Sequence, residues 1–478
     1  MRARHVPAAV LFAVGPLLIA AGCSKEEAPT MDDSTPPAAV TDLVVSSADQ
    51  TTVTLSWTAS GDDDTRGTAS SYDLRYAAAR ITNTTWIASI SASGEPIPKE
   101  AGEPESYTVT GLDPGAPYSF ALRVLDESMN LSGLSNVVST TTIPNSGDSK
   151  WWDGFHDQGV NGPVYALAVY DESLVAGGSF TEAGGLPTAR IARFDGLTWS
   201  PLGDGMDSEV WALVDHNGDL IAGGAFSHAG SAGVHYIARW DGSDWSPLGS
   251  GMNNLVLALV AWQGDLVAGG LFTRAGGAEA PYLALWDGNS WHTIPGLDGP
   301  VYALTVHNGD LIAGGRFTLA DTVTACQIAR WDGASWHALR GGFLIDPPPP
   351  SVSVLAVHEG DLIAGGYFAS ADLTPASSVA GWNGIEWVAL GSGTNEEVLA
   401  LASYGGLVAG GRFEIAGSLP AGHIARWDGA AWNPLASGIG PALSSVHALV
   451  VHGGALYVGG SFETAGTRPS RNIARWKD

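Results

Sequence analysis

One position of an internal repeat carries side chains that can bind a ligand. The residues that directly follow seven Gly-Gly pairs are Ser179, Ala225, Leu271, Arg316, Tyr367, Arg412 and Ser461. A guanidinium donates paired hydrogen bonds to a carboxylate, and a tyrosine ring offers a face for stacking. We therefore expect Arg316, Tyr367 and Arg412 to form a patch for a carboxylate or a sugar. The alternative is that the arginines form ion pairs with acidic neighbours, which are abundant in this chain.

Histidines recur at a second repeated position, where they suggest a metal site. The seven residues at this position are Tyr170, His216, Trp262, His307, His358, Tyr404 and His452. Zinc needs nitrogen ligands within about 2.0–2.1 Å, and equivalent positions of separate repeats do not converge that closely. We expect these side chains to pack on turns, and we expect neither a metal nor another cofactor.

Catalysis needs an asymmetric group of residues in one or two repeats. The sequence has no Gly-x-Ser-x-Gly elbow, no sialidase-type aspartate box and no metalloprotease motif. We expect no catalytic residue. A carbohydrate-active hydrolase or lyase is the alternative, and its candidate carboxylates are Asp207, Glu209, Glu396 and Glu397.

The repeat that positions these residues occurs seven times between residues 151 and 478. The Gly-Gly pairs begin at Gly177, Gly223, Gly269, Gly314, Gly365, Gly410 and Gly459. In the second copy the pattern predicts strands over 210–213, 220–224, 237–240 and 245–248, the last two joined by Asp241-Gly242. Four antiparallel strands at a fixed period of this length predict a blade of a β-propeller. We expect each Gly-Gly pair to let an indole press against the backbone.

The seventh copy stops after its third strand, at residues 476–478. Trp152 lies 25 residues before Gly177, at the spacing expected for a fourth-strand tryptophan. We therefore predict that a strand at Trp152 completes the last blade and closes a seven-bladed ring. We call the face that carries the second-to-third loops and the blade-to-blade crossings the crossing face, and we expect a ligand to bind there. The loop tips of this face diverge in sequence, and two of its crossings are longer, near Pro347–Pro350 and 439–445.

The repeat resembles the kelch and galactose-oxidase class of propellers, which shares the order of strand, Gly-Gly, aromatic residue and tryptophan. It resembles more closely the "GGxFxxAG…ARWDGxxW" propellers of bacterial surface proteins and fungal polarity markers. Its two-residue Asp-Gly hairpin is tighter than that of most kelch repeats. The resemblance implies an all-β fold and an interaction role.

Residues 36–142 have the period-two alternation of half-buried strands, as in Val53, Leu55 and Trp57. The segment resembles a fibronectin type III domain through Pro36-Pro37, Trp57 and a tyrosine corner at 112–118. This resemblance implies a β-sandwich that acts as a spacer. The stretch 78–106 is longer than usual for the family, and a linker over 143–150 joins the sandwich to the repeats.

The first 35 residues indicate export. Arg2 and Arg4 precede a short apolar run over 6–21, which is typical of a signal peptide over 1–22. The end of this run resembles a bacterial lipobox, which implies a lipid on Cys23, a tether over 23–35, and a place in the cell envelope, at the outer membrane or the cell surface. The alternative is a plain cleaved signal peptide.

The charge balance limits the partners. The chain has 22 basic and 49 acidic side chains and a net charge of −27, so it has no basic surface for nucleic acid or for an anionic leaflet. We expect a monomer whose only membrane contact is the lipid on Cys23. The sequence as a whole predicts a non-catalytic binding protein for an extracellular protein or glycan.

Overall fold

The computed structural model describes residues 34–49, 52–110, 112, 115–143, 147–152, 154–155, 159–344 and 350–478. The predicted signal peptide, Cys23 and nearly all of the tether lie outside these residues, as do Asp113 and Pro114 of the tyrosine corner and most of the proline-rich crossing at Pro347–Pro350. Among the described helices, none is long and apolar enough to cross a membrane.

Two packed sheets form the first folded region. Its strands are β1 (Val44–Ala48), β2 (Thr52–Thr58), β3 (Ser71–Ala77), β4 (Ile90–Ser91), β5 (Pro104–Thr110), β6 (Pro117–Leu125) and β7 (Val138–Thr141), with one 3-10 turn at Trp86–Ala88. One sheet has the order β1-β2-β5 and the other β4-β3-β6-β7. Burial alternates along β2, where Val53, Leu55 and Trp57 point into the core. The predicted period-two pattern is therefore confirmed.

Seven antiparallel sheets follow, which we number 1 to 7 and call the seven-sheet region. The first strands are Val164–Tyr170, Val210–His216, Val256–Trp262, Val301–His307, Ser351–His358, Val398–Ser403 and Ser445–His452. The second strands are Ser173–Gly178, Asp219–Gly224, Asp265–Gly270, Asp310–Gly315, Asp361–Tyr367, Leu407–Gly411 and Ala455–Ser461. The third strands are Ile191–Phe194, Ile237–Trp240, Leu283–Trp286, Ile328–Trp331, Val379–Trp382, Ile424–Trp427 and Ile473–Trp476. The fourth strands of sheets 1 to 6 are Trp199–Pro201, Trp245–Pro247, Trp291–Thr293, Trp336–Ala338, Trp387–Ala389 and Trp432–Pro434.

Adjacent sheets pack face to face. The second strands are almost wholly buried, because a sheet with a neighbour on each side has no solvated face. In the strand Asp219–Gly224, for example, every residue after Asp219 is buried. The first strands contact one another in chain order, and the first strand of sheet 7 also contacts that of sheet 1.

The glycine pairs have a different neighbour from the one we expected. A Cβ on Gly223 would lie 2.5 Å from Cγ1 of Val256 in the next sheet, and a Cβ on Gly224 would lie 2.1 Å from the carbonyl oxygen of Glu209. The expectation of an indole at these pairs was wrong: a valine and a backbone carbonyl fill the space. Indoles press on other glycines, such as Gly203 beside Trp240.

Sheet 7 is completed by residues from the start of the region. Trp151 pairs with Trp476, the Trp152 amide donates to the Arg475 carbonyl at 2.9 Å, and the Lys477 amide donates to the Lys150 carbonyl at 3.1 Å. The residue opposite Trp476 is thus Trp151, so the assignment of this position to Trp152 was wrong by one residue. The Trp152 ring instead packs on Phe155 and lies under the Arg475 guanidinium.

The second-to-third loops are more regular than expected. Each contains a hairpin of two short strands, such as His228–Ala229 with Ala232–Gly233. The preceding crossing pairs with the alanine of the hairpin, as Met206 does with Ala229. The same pairing recurs in all seven sheets, so the tips, whose sequences diverge after the shared alanine, keep one backbone arrangement.

Candidate functional site

A cavity of 220 Å³ is lined by all seven first strands. Each strand contributes the second, third and fourth residues counted from a valine that all seven first strands share, as Trp211, Ala212 and Leu213 follow Val210. The fourth position is leucine in every sheet, and the third is alanine except for Val354. We call the seven second-position residues the mouth: Tyr165, Trp211, Leu257, Tyr302, Ser353, Leu399 and His447.

The mouth lies on the crossing face. Val210, the neighbour of Trp211, pairs with Gly224 at the end of the second strand. The residues directly after the Gly-Gly pairs lie at the same end, since the amides of Arg316 and Arg412 donate to the carbonyls of Pro300 and Glu397, which precede the first strands. The mouth and the residues predicted to bind a ligand therefore share one face.

Three rings from sheets 7, 1 and 2 pack together at the mouth. Tyr165 and Trp211 are stacked with ring centroids 4.1 Å apart and an interplanar angle of 2°. His447 meets Tyr165 edge to face at 5.4 Å, and its Nε2 lies 2.9 Å from the Ser445 hydroxyl. These contacts hold the rings in place before any ligand arrives.

His447 is neutral at physiological pH. Burial and, to a lesser extent, the positive charge of Arg412 together lower its pKa to about 4. A neutral imidazole has one donor and one acceptor nitrogen, so it can exchange hydrogen bonds with a polar ligand without adding charge to the mouth.

Glu397 links the mouth to Arg412. Its Oε1 accepts from the Ser353 hydroxyl at 2.8 Å, and its Oε2 accepts from Nη1 of Arg412 at 3.0 Å. The arginine is therefore ion-paired, as the alternative interpretation proposed. Arg316 is exposed and Tyr367 is half-buried. No contact within the described part of the chain joins Arg316, Tyr367 and Arg412, and their role in binding stays a prediction.

The recurring histidine position is occupied by contacts between sheets. His307 Nε2 lies 3.0 Å from the Gly360 carbonyl, and the Trp262 indole donates to the Gly309 carbonyl at 2.9 Å. Each contact joins a first strand to the turn of the next sheet. Among the described residues there is no group of three or more side chains that could hold a metal ion.

Several arginines of the third strands form ion pairs with nearby carboxylates. Arg193 pairs with Asp171 at 3.1 Å, and Arg330 pairs with Asp310. Asp195 and Asp241 accept from the backbone amides of their own Asp-Gly turns. These ion pairs belong to the framework.

One of the candidate carboxylates for an enzyme is also structural. Asp207 accepts from the Ser227 amide at 2.8 Å, from the Ser227 hydroxyl at 2.7 Å and from the His228 amide at 3.0 Å. Burial raises its pKa, but these hydrogen bonds outweigh burial and lower it to about 2. The carboxylate is committed to anchoring the hairpin of sheet 2. Glu209 accepts from the hydroxyl of its neighbour Ser208 at 3.0 Å.

A larger groove of 680 Å³ lies on the same face, where sheet 7 meets sheet 1. Its lining includes Pro441, Leu443, Phe462 and Arg471. Leu443 is 99% exposed and has a φ of +74°, a conformation that costs a branched side chain energy. This loop belongs to the longer crossing near 439–445 that the sequence singled out.

The mouth was missed by sequence reasoning. The signal was present, because the residue after the shared valine varies among copies, whereas the next residue is alanine in every copy but one. Tyrosine, tryptophan and leucine in a strand nevertheless suggest a core, and only the structure places these seven residues around one cavity.

Comparison with known proteins matches residues 38–141 to the family model of the fibronectin type III domain. That segment is a fibronectin type III domain. A solved human fibronectin type III domain, from fibronectin type III domain containing protein 3, has 27% identity and a TM-score of 0.17, covering 24% of this chain and 93% of its own. The sensor domain of the anti-sigma factor RsgI4 of Pseudobacteroides cellulosolvens has 20% identity and a TM-score of 0.16, covering 23% of this chain and 97% of its own.

Two curated proteins share similarity with part of the chain. Exoglucanase B of Cellulomonas fimi is 31% identical over 121 residues, which are 25% of this chain and 9% of the exoglucanase. Calcium-activated chloride channel regulator 2 of Mus musculus is 33% identical over 132 residues, 24% of this chain and 14% of the regulator. The chain thus spans only 9% to 14% of the length of these relatives.

Proposed function

We propose that the protein is a non-catalytic binding protein of the bacterial cell surface, in which a seven-bladed β-propeller over residues 151–478 presents the ligand site. The fibronectin type III domain suggests a binding or spacer role, and we assign it the spacer role between the lipid anchor on Cys23 and the propeller. The cyclic order of contacts among the first strands and the pairing of Trp151 with Trp476 support the propeller assignment.

The observation that carries the binding function is the asymmetry of the mouth. Seven copies keep leucine at the fourth position of the first strand, yet at the second position they carry five different residue types. Residues that serve the repeat are the same in every copy, whereas recognition of a ligand needs different groups at different positions. An extracellular protein or a glycan is the proposed ligand.

The carbohydrate-active enzyme remains the second candidate and has less support. Asp207 is engaged by three hydrogen bonds, and a histidine whose pKa is about 4 is a weak general base at neutral pH. The Ser445–His447 contact at 2.9 Å is the one arrangement near the mouth with the residue types of a hydrolase.

The test is a combined screen for binding and turnover. The full chain is applied to arrays of extracellular proteins and polysaccharides, and the same polysaccharides are incubated with it and assayed for new reducing ends and for unsaturated products. We expect retention on at least one class of ligand with no product. Product that accumulates in proportion to protein concentration, and that is lost in Ser445→Ala or His447→Gln, would establish the enzyme instead.

A further inference from the structure

We propose that the mouth binds an uncharged, hydroxyl-rich ligand, namely the terminal sugar residue of a neutral polysaccharide. This inference rests on the proposed function and names the ligand class for its site. It follows from the hydrogen-bonding groups of the mouth, from its charge and from its size.

The mouth offers hydrogen-bonding groups that the protein itself does not use. Tyr165, Trp211 and Tyr302 line the cavity, and each is only half-buried. Over the described ranges of the chain, the structure gives no hydrogen-bond partner to the Tyr165 hydroxyl, the Trp211 indole N–H or the Tyr302 hydroxyl. This contrasts with Trp262, whose indole donates to the Gly309 carbonyl. A sugar hydroxyl both donates and accepts, so it can pair with all of these groups.

The groups are held in position by contacts that leave them available. Trp211 and Tyr165 restrain each other by stacking. His447, from sheet 7 on the other side of Tyr165, packs edge to face against the same ring. On the opposite flank of His447, Glu397 fixes Ser353. A site whose side chains are already ordered loses little conformational entropy when a ligand binds.

The charge of the mouth favours a neutral ligand. The Arg412–Glu397 pair cancels its own charge, and the His447 imidazole is neutral because burial depresses its pKa. The surrounding residues 151–478 include 13 basic and 31 acidic side chains, a net charge of −18, which repels polyanions such as polyuronates. None of the described residues that line the cavity is an arginine or a lysine.

The volume of the cavity suits one terminal sugar residue of a polysaccharide. Its 220 Å³ is below the roughly 300–1,000 Å³ of pockets that enclose drug-sized ligands. The alanine and leucine residues of the third and fourth positions line its deeper part. A terminal pyranose residue can therefore enter, with the rest of the polysaccharide lying on the crossing face.

The experiment is isothermal titration calorimetry on the full chain at pH 7. The probes are cellohexaose, xylohexaose, mannohexaose and maltohexaose as neutral ligands and hexagalacturonate as the anionic one. We expect at least one neutral hexasaccharide to bind and hexagalacturonate to bind at least tenfold more weakly. Trp211→Phe, Tyr165→Phe and Tyr302→Phe each keep an aromatic ring and remove one donor, and each is expected to weaken binding about fivefold to tenfold.

The matched control is Tyr236→Phe, which removes the hydroxyl of a half-buried tyrosine on the same face but outside the mouth and is expected to leave affinity within twofold. The melting temperature of each variant shows whether it is folded, and Ser353→Ala, at the far flank of the mouth, provides an independent mouth variant. Failure of all four neutral probes to bind, or affinity unchanged in the mouth variants, overturns the inference.

The outcome also separates this inference from the proposed function. A protein or hexagalacturonate that binds with sub-millimolar affinity, while the neutral probes do not, leaves a binding protein but removes the neutral sugar. Turnover of a hexasaccharide contradicts the proposed function, whether or not the mouth holds the sugar.

Discussion

The seven leucines at the fourth position, which we call the leucine layer, line the same cavity as the mouth and lie two residues from it on the same strands. The two sets differ in how much their residue types vary between copies. Every copy has leucine in the layer, for example Leu213 and Leu259, whereas neighbouring copies of the mouth carry Trp211 and Leu257. A side chain of the layer packs on the preceding sheet, as the 3.4 Å approach of Leu259 to the Cβ position of Gly223 shows. The layer is constrained by this neighbouring sheet, whereas the residue type of the mouth is free to differ between copies.

The largest effect on stability is expected from a substitution that disturbs the packing between sheets. Gly223→Ala places a Cβ 2.5 Å from Cγ1 of Val256 in the next sheet, a fully buried β-branched side chain, and we expect it to lower the free energy of unfolding by about 3 kcal/mol. Gly233→Ala is the control because its Cβ meets open space. Urea denaturation measures both. Equal midpoints for the two variants would mean that the sheets are not tightly packed.

A matched pair on one strand tests the comparison directly. Leu259 packs against the core between sheets 2 and 3, so we expect Leu259→Ala to cost about 2 kcal/mol. Leu257→Ala, two residues away in the mouth, is expected to cost less than about 1 kcal/mol because its side chain borders the cavity without packing against that core. Thermal or urea unfolding would measure the difference, and a larger loss at Leu257 would reverse the roles of the two layers.

The pH dependence of stability reports on His447. Its pKa is lowered from 6.5 to about 4 by burial and by the charge of Arg412, so the unfolded chain binds more protons between these values and stability falls as the pH drops from 6.5 to 4. We expect His447→Gln to remove about 2 kcal/mol of this loss. His423, whose pKa burial also lowers, is unchanged in the variant, so the difference between the two profiles isolates His447. Parallel profiles would contradict a buried neutral imidazole.

The smallest expected effect concerns the charge beside the mouth. The Arg412 guanidinium contributes to the low pKa of His447, after burial. Arg412→Gln should therefore raise that pKa, while burial keeps it below 6.5. Titration of the His447 ring by NMR would detect the change, with Arg316→Gln as the matched control. A lower pKa in Arg412→Gln would show that the guanidinium acts in the opposite sense.

The sequence predicted the strands well because their signals are local. The alternation of Val53, Leu55 and Trp57 and the spacing from each Gly-Gly pair to the tryptophans depend on a few consecutive residues. Register between distant segments has no such signal. Trp151 and Trp152 both fit the spacing rule, and a shift of one residue exchanges the two faces of a strand, so only the pairing with Trp476 separates them.

The candidate site was harder to predict because it depends on neighbours across strands. Arg193 is two residues from Asp195 in sequence but pairs with Asp171 from the turn between the first two strands of its sheet. Glu397 precedes a first strand, and nothing local shows that it bridges Ser353 of sheet 5 and Arg412 of sheet 6. Equivalent residues occupy equivalent positions in every copy of the repeat. The side chain that each of them contacts can belong to a neighbouring copy, and it therefore differs from sheet to sheet.

The pairing that completes sheet 7 also sets an order of events during synthesis. Lys150 contacts Asp478, 328 residues later in the chain, so the ribosome makes one side of this junction long before the other. The earlier segment stays unpaired until translation of the region is finished, when closing so long a loop costs conformational entropy. A message truncated within the last repeat would leave strand edges open, and open edges pair with those of other chains. Premature termination is therefore expected to produce aggregates instead of a smaller working protein.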